Sequence, residues 1–365
     1  MNITFPVLTM TRPMGGAIPP YETANAMRRR GHSVHVIHVG LNDQVTSLAD
    51  LSWIEFEDGI EHVFPGAFPG PDGSLPAKPT EIALTAGDNR LAGLAAYLPE
   101  ADFIAGYDDL LPSKHGLPFV FVQGYRPHSH AIEDLVYQYP CPKVCVSKWL
   151  YDLGTAKGVP AEELVHRPNG VKHDKYRLVS PIETRSLVVS TAYHDHPQKG
   201  ADDSLAVLTE VRRHVPEMEA IILSQVPPRH EIAPWMTVVT DPPQEFIVNE
   251  IYNRTRVFLC ASHYEGFGFP SAEAMACGAA LVTTANGGSA DYAFHRATAL
   301  VNARGDVRGL ASSVLRLLRI DEQRIRLARN GMEFVRTHLD WDRGARKLEE
   351  FLTEYAVRSD RYARR

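Results

Sequence analysis

Residues 2–40 read NITFPVLTMTRPMGGAIPPYETANAMRRRGHSVHVIHVG, and this stretch decides the fold class. The apolar run at residues 2–10 predicts a strand. Pro20 suits the first turn of a following helix, and Gly31 suits its C-terminal cap. A second apolar, β-branched run at residues 33–40 predicts the next strand. This β-loop-α-β order is typical of a parallel sheet covered by helices.

The same alternation continues along the whole chain. Further predicted strands are ADFIAGY, PFVFVQGY and KVCVS in the first half, and LVVSTAY, EAIILSQ, WMTVVT, RVFLCAS and AALVTTA in the second. The polar, proline-containing stretch RLVSPIETRS, residues 177–186, predicts a linker between them. We therefore predict an α/β protein with an N-terminal domain at residues 1–175 and a second domain at 176–340. A terminal helix at 341–365 packs on its own half or crosses back to the first.

Composition narrows the class of protein. A chain of 365 residues has room for roughly two domains. The balance of 38 Lys and Arg against 44 Asp and Glu, a net charge of −6, argues against a nucleic-acid partner. Residues 308–365 are locally basic, which favours a solvated helix face and leaves room for weak contact with anionic lipid.

The cysteines and the hydropathy of the sequence indicate in which cellular compartment the protein is expected. Four cysteines, Cys141, Cys145, Cys260 and Cys277, form neither a disulfide framework nor a CxxC zinc pattern, which indicates a reducing compartment. The N-terminus lacks the pattern of a secretion signal, and no window approaches the length of a membrane span. These features predict a cytoplasmic protein without a transmembrane segment, at most peripheral at the inner face of the membrane.

The densest chemical signal is YEGFGFPSAEAMACGAALVTTANGG, residues 264–288. Gly266 and Gly268 let the backbone approach a ligand, and Pro270 opens a short helix. The N-terminus of such a helix suits a phosphate. Glu273 in its first turn could accept hydrogen bonds from ribose hydroxyls. It could equally complement the helix dipole, and spacing alone leaves both interpretations open.

Residues 265–278, EGFGFPSAEAMACG, resemble the E-x7-E signature of the family 4 retaining glycosyltransferases, usually written EGFGLPxLEAMACG. Shorter matches follow the family order along essentially the whole chain. They are the glycine pair Gly15-Gly16, GHSV at residues 31–34, PNGV at 168–171, KG at 199–200 and GG at 287–288. The resemblance implies the GT-B fold, in which two facing Rossmann-like domains enclose a deep cleft.

The resemblance also implies roles for individual residues. A nucleotide-diphosphate sugar would be held mainly by the second domain and a hydroxyl acceptor mainly by the first. Lys199 and Glu265 would be the catalytic residues, since a lysine and a helix N-terminus stabilise a leaving diphosphate without a metal or other cofactor. The implied donor-binding residues are Gly16, Lys199, Glu265, Gly266, Phe267, Gly268, Phe269 and Glu273. Among them Glu273 would bind the ribose.

The sequence departs from the family pattern at several positions. Tyr193 stands where the family has an arginine, so that charge would come from elsewhere: His194, His196 or an arginine distant in sequence. Ser224 and Gln225 replace a glycine pair of the family. The details of the family's binding pocket for the nucleotide base therefore do not carry over to this sequence.

On the acceptor side, Gln123 replaces a family histidine. The sequence Gln123-Gly124-Tyr125 is similar to a turn in a rhamnosyltransferase subgroup. We take Gln123, Tyr125 and His128 as acceptor-side candidates, with His130 nearby.

Two short patterns mimic metal sites. Asp340-Trp341-Asp342 resembles a DxD motif but opens the terminal helix, and His194-Asp195-His196 lacks further ligands nearby. No metal site is predicted.

Several alternatives stay open at this point. A carboxylate nucleophile is conceivable, but no second matched carboxylate is visible, so a front-face displacement is favoured. A sugar-nucleotide epimerase or an inactive nucleotide- or glycan-binding partner could share the fold. A redox enzyme would need GxGxxG after the first strand, which TRPMGGAIPP does not supply.

The sequence leaves four properties undetermined: the base (UDP, GDP or dTDP), the linkage, the oligomeric state and the acceptor. A cell-surface glycan, a lipid-linked intermediate or a secondary metabolite could accept the sugar.

Overall fold

The computed structural model describes residues 1–13, 15–40, 45–64, 99–106, 116–125 and 130–363. The chain divides into two compact units. Unit 1 comprises Met1–Val146, Leu150–Arg167 and Trp341–Arg365, and unit 2 comprises Ser147–Trp149 and Pro168–Asp340.

Unit 1 is built on a parallel sheet whose described strands run in the order β3-β2-β1-β4-β5-β6-β7. The strands are β1 (Asn2–Thr9), β2 (Ser33–Gly40), β3 (Glu61–Val63), β4 (Phe103–Gly106), β5 (Leu117–Val122), β6 (Lys143–Cys145) and β7 (Leu164–His166). The helices are α1 (Ile18–Arg29), α2 (His130–Gln138), α3 (Lys148–Ala156), whose first two residues are assigned to unit 2, and α9 (Trp341–Ala363). The predicted first β-loop-α-β unit is confirmed, with Pro19 and Pro20 in the opening turn of α1.

Unit 2 contains a second parallel sheet, in the order β10-β9-β8-β11-β12-β13. Its strands are β8 (Val188–Tyr193), β9 (Glu219–Ser224), β10 (Met236–Thr240), β11 (Val257–Cys260), β12 (Ala280–Thr284) and β13 (Ala299–Asn302). Its helices are α4 (Ala201–His214), α5 (Gln244–Phe246, continued by a π-helical turn over Ile247–Tyr252), α6 (Phe269–Ala276), α7 (Val307–Arg319) and α8 (Asp321–His338). Apolar strand residues such as Val189, Ile222, Leu259 and Val282 are fully buried in its core.

The division between the units follows Arg167, whereas the sequence placed it after residue 175. Backbone bonding explains the difference, because Val171 N donates to Leu339 O at 2.9 Å within unit 2.

The predicted linker 177–186 is also held on unit 2. The buried guanidinium of Arg185 donates to four backbone carbonyls, including Cys277 O at 2.6 Å. A stretch that is polar in sequence is thus a packed segment in the structure.

Helix α9 belongs to unit 1, where it packs against α1. Arg29 lies 2.7 Å from Asp342, and Arg30 pairs with Glu349. The side chain of Trp341 is buried, with the Arg167 guanidinium 5.2 Å from the centre of its ring. The DxD-like tripeptide at the start of this helix therefore has a carboxylate and a ring engaged in docking the helix.

Two further observations concern membrane and redox chemistry. Within the described ranges, no helix combines the length and the apolar character needed to cross a bilayer. All four cysteines are free thiols, and three of them, Cys141, Cys145 and Cys277, are buried.

Candidate functional site

Two loops of unit 2 meet at the carboxyl edge of its sheet, one after β8 and one after β11. Gly200 has a left-handed backbone with φ 61°, and a Cβ atom there would clash with the carbonyl oxygen of Ala261. His263 N donates to Gln198 O at 2.7 Å, which joins the loops directly. The close approach explains why a glycine follows Lys199, because any side chain would force the two backbones apart.

These loops bring Lys199 and Glu265 together. Lys199 Nζ lies 2.7 Å from Glu265 Oε2, and Ser262 Oγ donates to the other carboxylate oxygen at 2.8 Å. The lysine side chain is 37% exposed and the glutamate 11%. The backbone of Glu265 is fixed as well, since its N–H donates to Asn286 O at 3.0 Å. The result is a fixed carboxylate beside a solvent-reaching cation.

The glycine turn after Glu265 leads into α6. Gly268 has φ 88°, and the buried Tyr292 hydroxyl contacts the carbonyl oxygens of Phe267 and Gly268 at 2.9 and 2.8 Å. Gly288 allows equally close packing, because a Cβ atom there would lie 2.7 Å from Phe267 N. This packing holds the first turn of α6, the positive end of the helix dipole, in a defined position beside Glu265.

Glu273 lies on α6, and its half-buried carboxylate accepts a hydrogen bond from the Tyr252 hydroxyl at 3.2 Å. Burial raises the pKa of Glu273 to about 7, against the opposing effect of hydrogen bonds from Tyr176 and Tyr252. The carboxyl group therefore loses its proton at a higher pH than an ordinary glutamate does. In the ionised form it can accept further hydrogen bonds from hydroxyl groups.

The surroundings of Tyr193 show what lies at the position of the missing arginine. Its hydroxyl donates to Asp195 Oδ1 at 2.6 Å and accepts the backbone N–H of Arg229 at 3.2 Å. The Arg229 guanidinium, 85% exposed, lies 3.1 Å from Asp195 Oδ2. Sequence reasoning did not single out Arg229, which stands 36 positions after Tyr193 in an irregular segment with no motif.

His194 and Ser224 lie at the same edge of the sheet. Burial lowers the pKa of His194, and the charge of the nearby Lys199 lowers it further. Ser224 Oγ donates to Val226 O at 2.5 Å and so closes the turn after β9. Within the ranges that the structure describes, no group of three or more His, Cys, Asp or Glu residues is arranged to hold a metal ion.

Unit 1 contains the other predicted residues. Gln123 Nε2 donates to Gly16 O at 3.0 Å, so these two candidates are in contact. Tyr125 instead belongs to a separate group, in which its hydroxyl donates to Asp134 at 3.0 Å and Lys157 Nζ lies 5.2 Å from its ring centre. His128 and the side chain of His130 lie outside the described part of the chain.

Residues 243–334 match the family model described as "Glycosyl transferases group 1". This stretch is therefore similar to group 1 glycosyltransferases. It contains Glu265, the glycine turn and Glu273, whereas Lys199 precedes it.

One curated relative is a 2-deoxystreptamine N-acetyl-D-glucosaminyltransferase from Niallia circulans. It is 27% identical over 132 residues. The match spans about a third of each protein, 34% of this chain and 34% of the relative.

Solved structures resemble the chain over nearly its full length. WaaG, titled a glycosyltransferase involved in lipopolysaccharide biosynthesis, has a TM-score of 0.72 at 16% identity, covering 96% of this chain and 99% of that one. Anabaena HepE in complex with UDP-glucose has a TM-score of 0.71 at 15% identity, covering 97% and 100%. Sucrose-phosphate synthase from Thermosynechococcus elongatus has a TM-score of 0.72 at 15% identity, covering 97% and 98%. The predicted GT-B class with two Rossmann-like α/β domains is confirmed.

Proposed function

We propose that this protein is a retaining glycosyltransferase of family 4 that moves a hexose from a nucleotide-diphosphate sugar to a hydroxyl acceptor, without a metal or other cofactor. The observation that carries the proposal is the 2.7 Å pair of Lys199 and Glu265 beside the glycine turn that opens α6. A cation, a carboxylate and a helix N-terminus at one sheet edge suit a diphosphate joined to a polyhydroxylated ring.

Each group has a distinct part in the proposed reaction. Lys199 faces the diphosphate and stabilises the negative charge that develops as it leaves. Glu265 and the backbone of residues 266–269 bind the sugar hydroxyls, and Gly16 supplies backbone at the phosphates. Glu273 accepts hydrogen bonds from the ribose. The exposed Arg229, held by Asp195, serves as the arginine distant in sequence that replaces the family residue at Tyr193.

The step we propose is a front-face displacement. The acceptor oxygen forms a bond to the anomeric carbon on the face from which the diphosphate departs, and the bond from that carbon to the phosphate oxygen breaks. The departing phosphate oxygen takes the acceptor proton. Both carboxylate oxygens of Glu265 already have partners, Lys199 and Ser262, which favours positioning over nucleophilic attack. Trapping a covalent glycosyl-enzyme on Glu265 would contradict this step.

Substrate identity rests on indirect support. The curated relative's name specifies N-acetylglucosaminyl transfer, and a solved neighbour holds UDP-glucose, so UDP sugars are the first donors to test. The QGY turn that resembles a rhamnosyltransferase subgroup makes dTDP-rhamnose the second. Cytoplasmic location and peripheral contact with the inner membrane face stay predictions.

Calorimetric titration with UDP, GDP and dTDP tests the proposal most directly, followed by the tightest ligand with Glu273→Ala and with Lys199→Ala. We expect one nucleotide to bind selectively and both substitutions to weaken it. Folded protein that binds none of the three would favour an inactive partner. Turnover of the nucleotide sugar in the absence of any acceptor, with epimerised product, would favour an epimerase.

A further inference from the structure

A chain of four hydrogen-bonded side chains crosses unit 1 at the β3 edge of its sheet. Thr9 ends β1, Tyr21 lies on α1, His38 lies on β2 and His62 lies on β3. Thr9 Oγ1 is 2.6 Å from the Tyr21 hydroxyl, which is 2.9 Å from His38 Nδ1, and His38 Nε2 is 2.9 Å from His62 Nδ1. The function proposed above uses none of these residues.

The donor and the acceptor of each of these hydrogen bonds can be assigned by starting from Thr9. The single hydroxyl proton of Thr9 is donated to Val7 O at 2.7 Å, so Tyr21 must donate to Thr9. The Tyr21 oxygen then accepts from His38 Nδ1–H, which leaves His38 Nε2 as an acceptor. His62 Nδ1–H donates to that nitrogen, and His62 Nε2 is left with a free lone pair.

Burial keeps this arrangement neutral. It lowers the pKa of His38 to about 3, and it also lowers the pKa of His62. Each ring therefore carries one proton at neutral pH, as the chain of donors requires. Among the residues that the structure describes, nothing donates to His62 Nε2.

Two phenyl rings pack against this pair of histidines. Phe56 meets the His62 ring edge-on at 4.6 Å, and Phe64 stacks on His38 at 4.3 Å and 7°. Tyr21 and His38 are fully buried, whereas Phe56, His62 and Phe64 are only half-buried. The outer end of the hydrogen-bond chain is thus a half-buried histidine next to two half-buried phenyl rings. Binding sites for small organic molecules combine few polar groups with aromatic walls in this way.

We propose that His62, Phe56 and Phe64 form a binding subsite for a hydroxylated ring, a sugar unit of the acceptor. A ring hydroxyl donates to His62 Nε2, and the apolar C–H face of the same sugar packs against the phenyl rings. His62 is a binding and positioning residue, fixed in one tautomer by the chain behind it. The inference rests on the proposed function, because that function supplies the reason for a sugar in unit 1.

Two-bond proton–nitrogen correlation spectra of the intact protein test the tautomer first. We expect the proton of both His38 and His62 on Nδ1, with Nε2 unprotonated. A proton on His62 Nε2 at neutral pH would overturn the proposal, since that atom would no longer accept a hydrogen bond.

Ligand binding is tested by saturation-transfer NMR with methyl α-glycosides of glucose, N-acetylglucosamine, mannose and rhamnose. We expect at least one to bind and to shift the ring signals of His62. His62→Phe keeps an aromatic ring but removes the acceptor, so binding should weaken about tenfold, the value of one hydrogen bond. His62→Gln places a carbonyl oxygen near the position of Nε2 and should recover part of the affinity.

His35→Phe is the matched control. His35 lies on the same strand as His38 but points to the opposite face, where it contacts Glu61 at 3.1 Å. Equal loss in His35→Phe and His62→Phe, or no binding of any glycoside to the wild type, would overturn the subsite. Nucleotide titration of the same samples separates this outcome from failure of the proposed function, which would abolish nucleotide binding to unit 2 as well.

Discussion

Lys199 Nζ and Glu265 Oε2 lie 2.7 Å apart, although 66 residues separate them in sequence. The lysine is more exposed than the glutamate, so a diphosphate can reach it while the carboxylate stays fixed by Ser262. We expect Lys199→Met to weaken nucleotide-diphosphate binding roughly tenfold or more, since hydrogen bonds to charged groups contribute about 1.5–3 kcal/mol. Turnover should fall about a hundredfold, because the lost cation acts mainly on the leaving group.

Calorimetry with the nucleoside diphosphate and with the bare nucleoside checks this prediction. The loss should be confined to the diphosphate, because the nucleoside has nothing for Lys199 to contact. Lys157→Met is the control, since Lys157 pairs with Asp134 in unit 1 at 2.6 Å. Equal weakening of nucleoside and diphosphate would show that Lys199 shapes the site without binding phosphate.

Arg229 should supply a second, weaker contact to the diphosphate. Its guanidinium is highly exposed and pairs with Asp195, so moving to a phosphate has little desolvation cost. We expect Arg229→Ala to weaken diphosphate binding severalfold, less than Lys199→Met, and to reduce the salt dependence of binding. Titrations at two ionic strengths measure both effects. Arg213→Ala on α4, where Arg213 pairs with Glu210, is the control, and an identical result for the two arginine variants would remove Arg229 from the site.

Nucleotide affinity should rise with pH because of Glu273. Burial raises its pKa to about 7, and only the ionised carboxylate accepts hydrogen bonds from both ribose hydroxyls. We expect affinity to increase roughly tenfold between pH 6 and pH 8, in line with the energy of one pKa unit. Glu273→Gln retains the titration of the diphosphate itself, so the difference between the two proteins isolates Glu273. Parallel pH profiles for wild type and Glu273→Gln would contradict a carboxylate contact to ribose.

The same carboxyl group predicts the opposite trend in folding stability. Its pKa is about 7 in the folded protein and about 4.5 in the unfolded chain, so the folded protein binds the extra proton between these values. The stabilisation is complete below about pH 4.5 and is lost as pH rises to about 7, by up to about 3 kcal/mol. Urea unfolding of wild type and Glu273→Gln at pH 5 and pH 8 measures it. A constant difference between the two proteins would show that burial does not perturb Glu273.

Local patterns predicted much of this molecule. The alternation of apolar runs identified both parallel sheets, because strand periodicity and turn residues are properties of neighbouring positions. The stretch from Glu265 to Glu273 was visible for the same reason, since one glycine turn and one short helix contain all of it.

Contacts between distant segments were not predictable in this way. Arg229 lies beside Tyr193 because the Tyr193 hydroxyl binds its backbone N–H, and neither residue carries a motif for that contact. The hydrogen-bond chain to His62 depends on the register of three strands, in which His62 pairs with Val36. The break after Arg167 depends on a backbone bond between Val171 and Leu339. Each of these relationships is set by tertiary packing, which a single sequence does not display.

Gly200 provides a test of how closely the two site loops must approach. Gly200→Ala and Gly158→Ala both place a side chain on a left-handed backbone, with φ 61° and 79°, so both carry similar backbone strain. Only at Gly200 does the new methyl group clash with a carbonyl oxygen, that of Ala261, whereas the space around Gly158 is open. We expect Gly158→Ala to lower the free energy of unfolding by about 1 kcal/mol and leave nucleotide binding unchanged. Gly200→Ala should lower it further and weaken nucleotide binding at least tenfold, because the loops that pair Lys199 with Glu265 are forced apart. Urea unfolding measures the free energy of unfolding of both variants, and calorimetric titration measures their nucleotide affinity. Equal nucleotide affinity in the two variants would mean that the site tolerates separation of its loops.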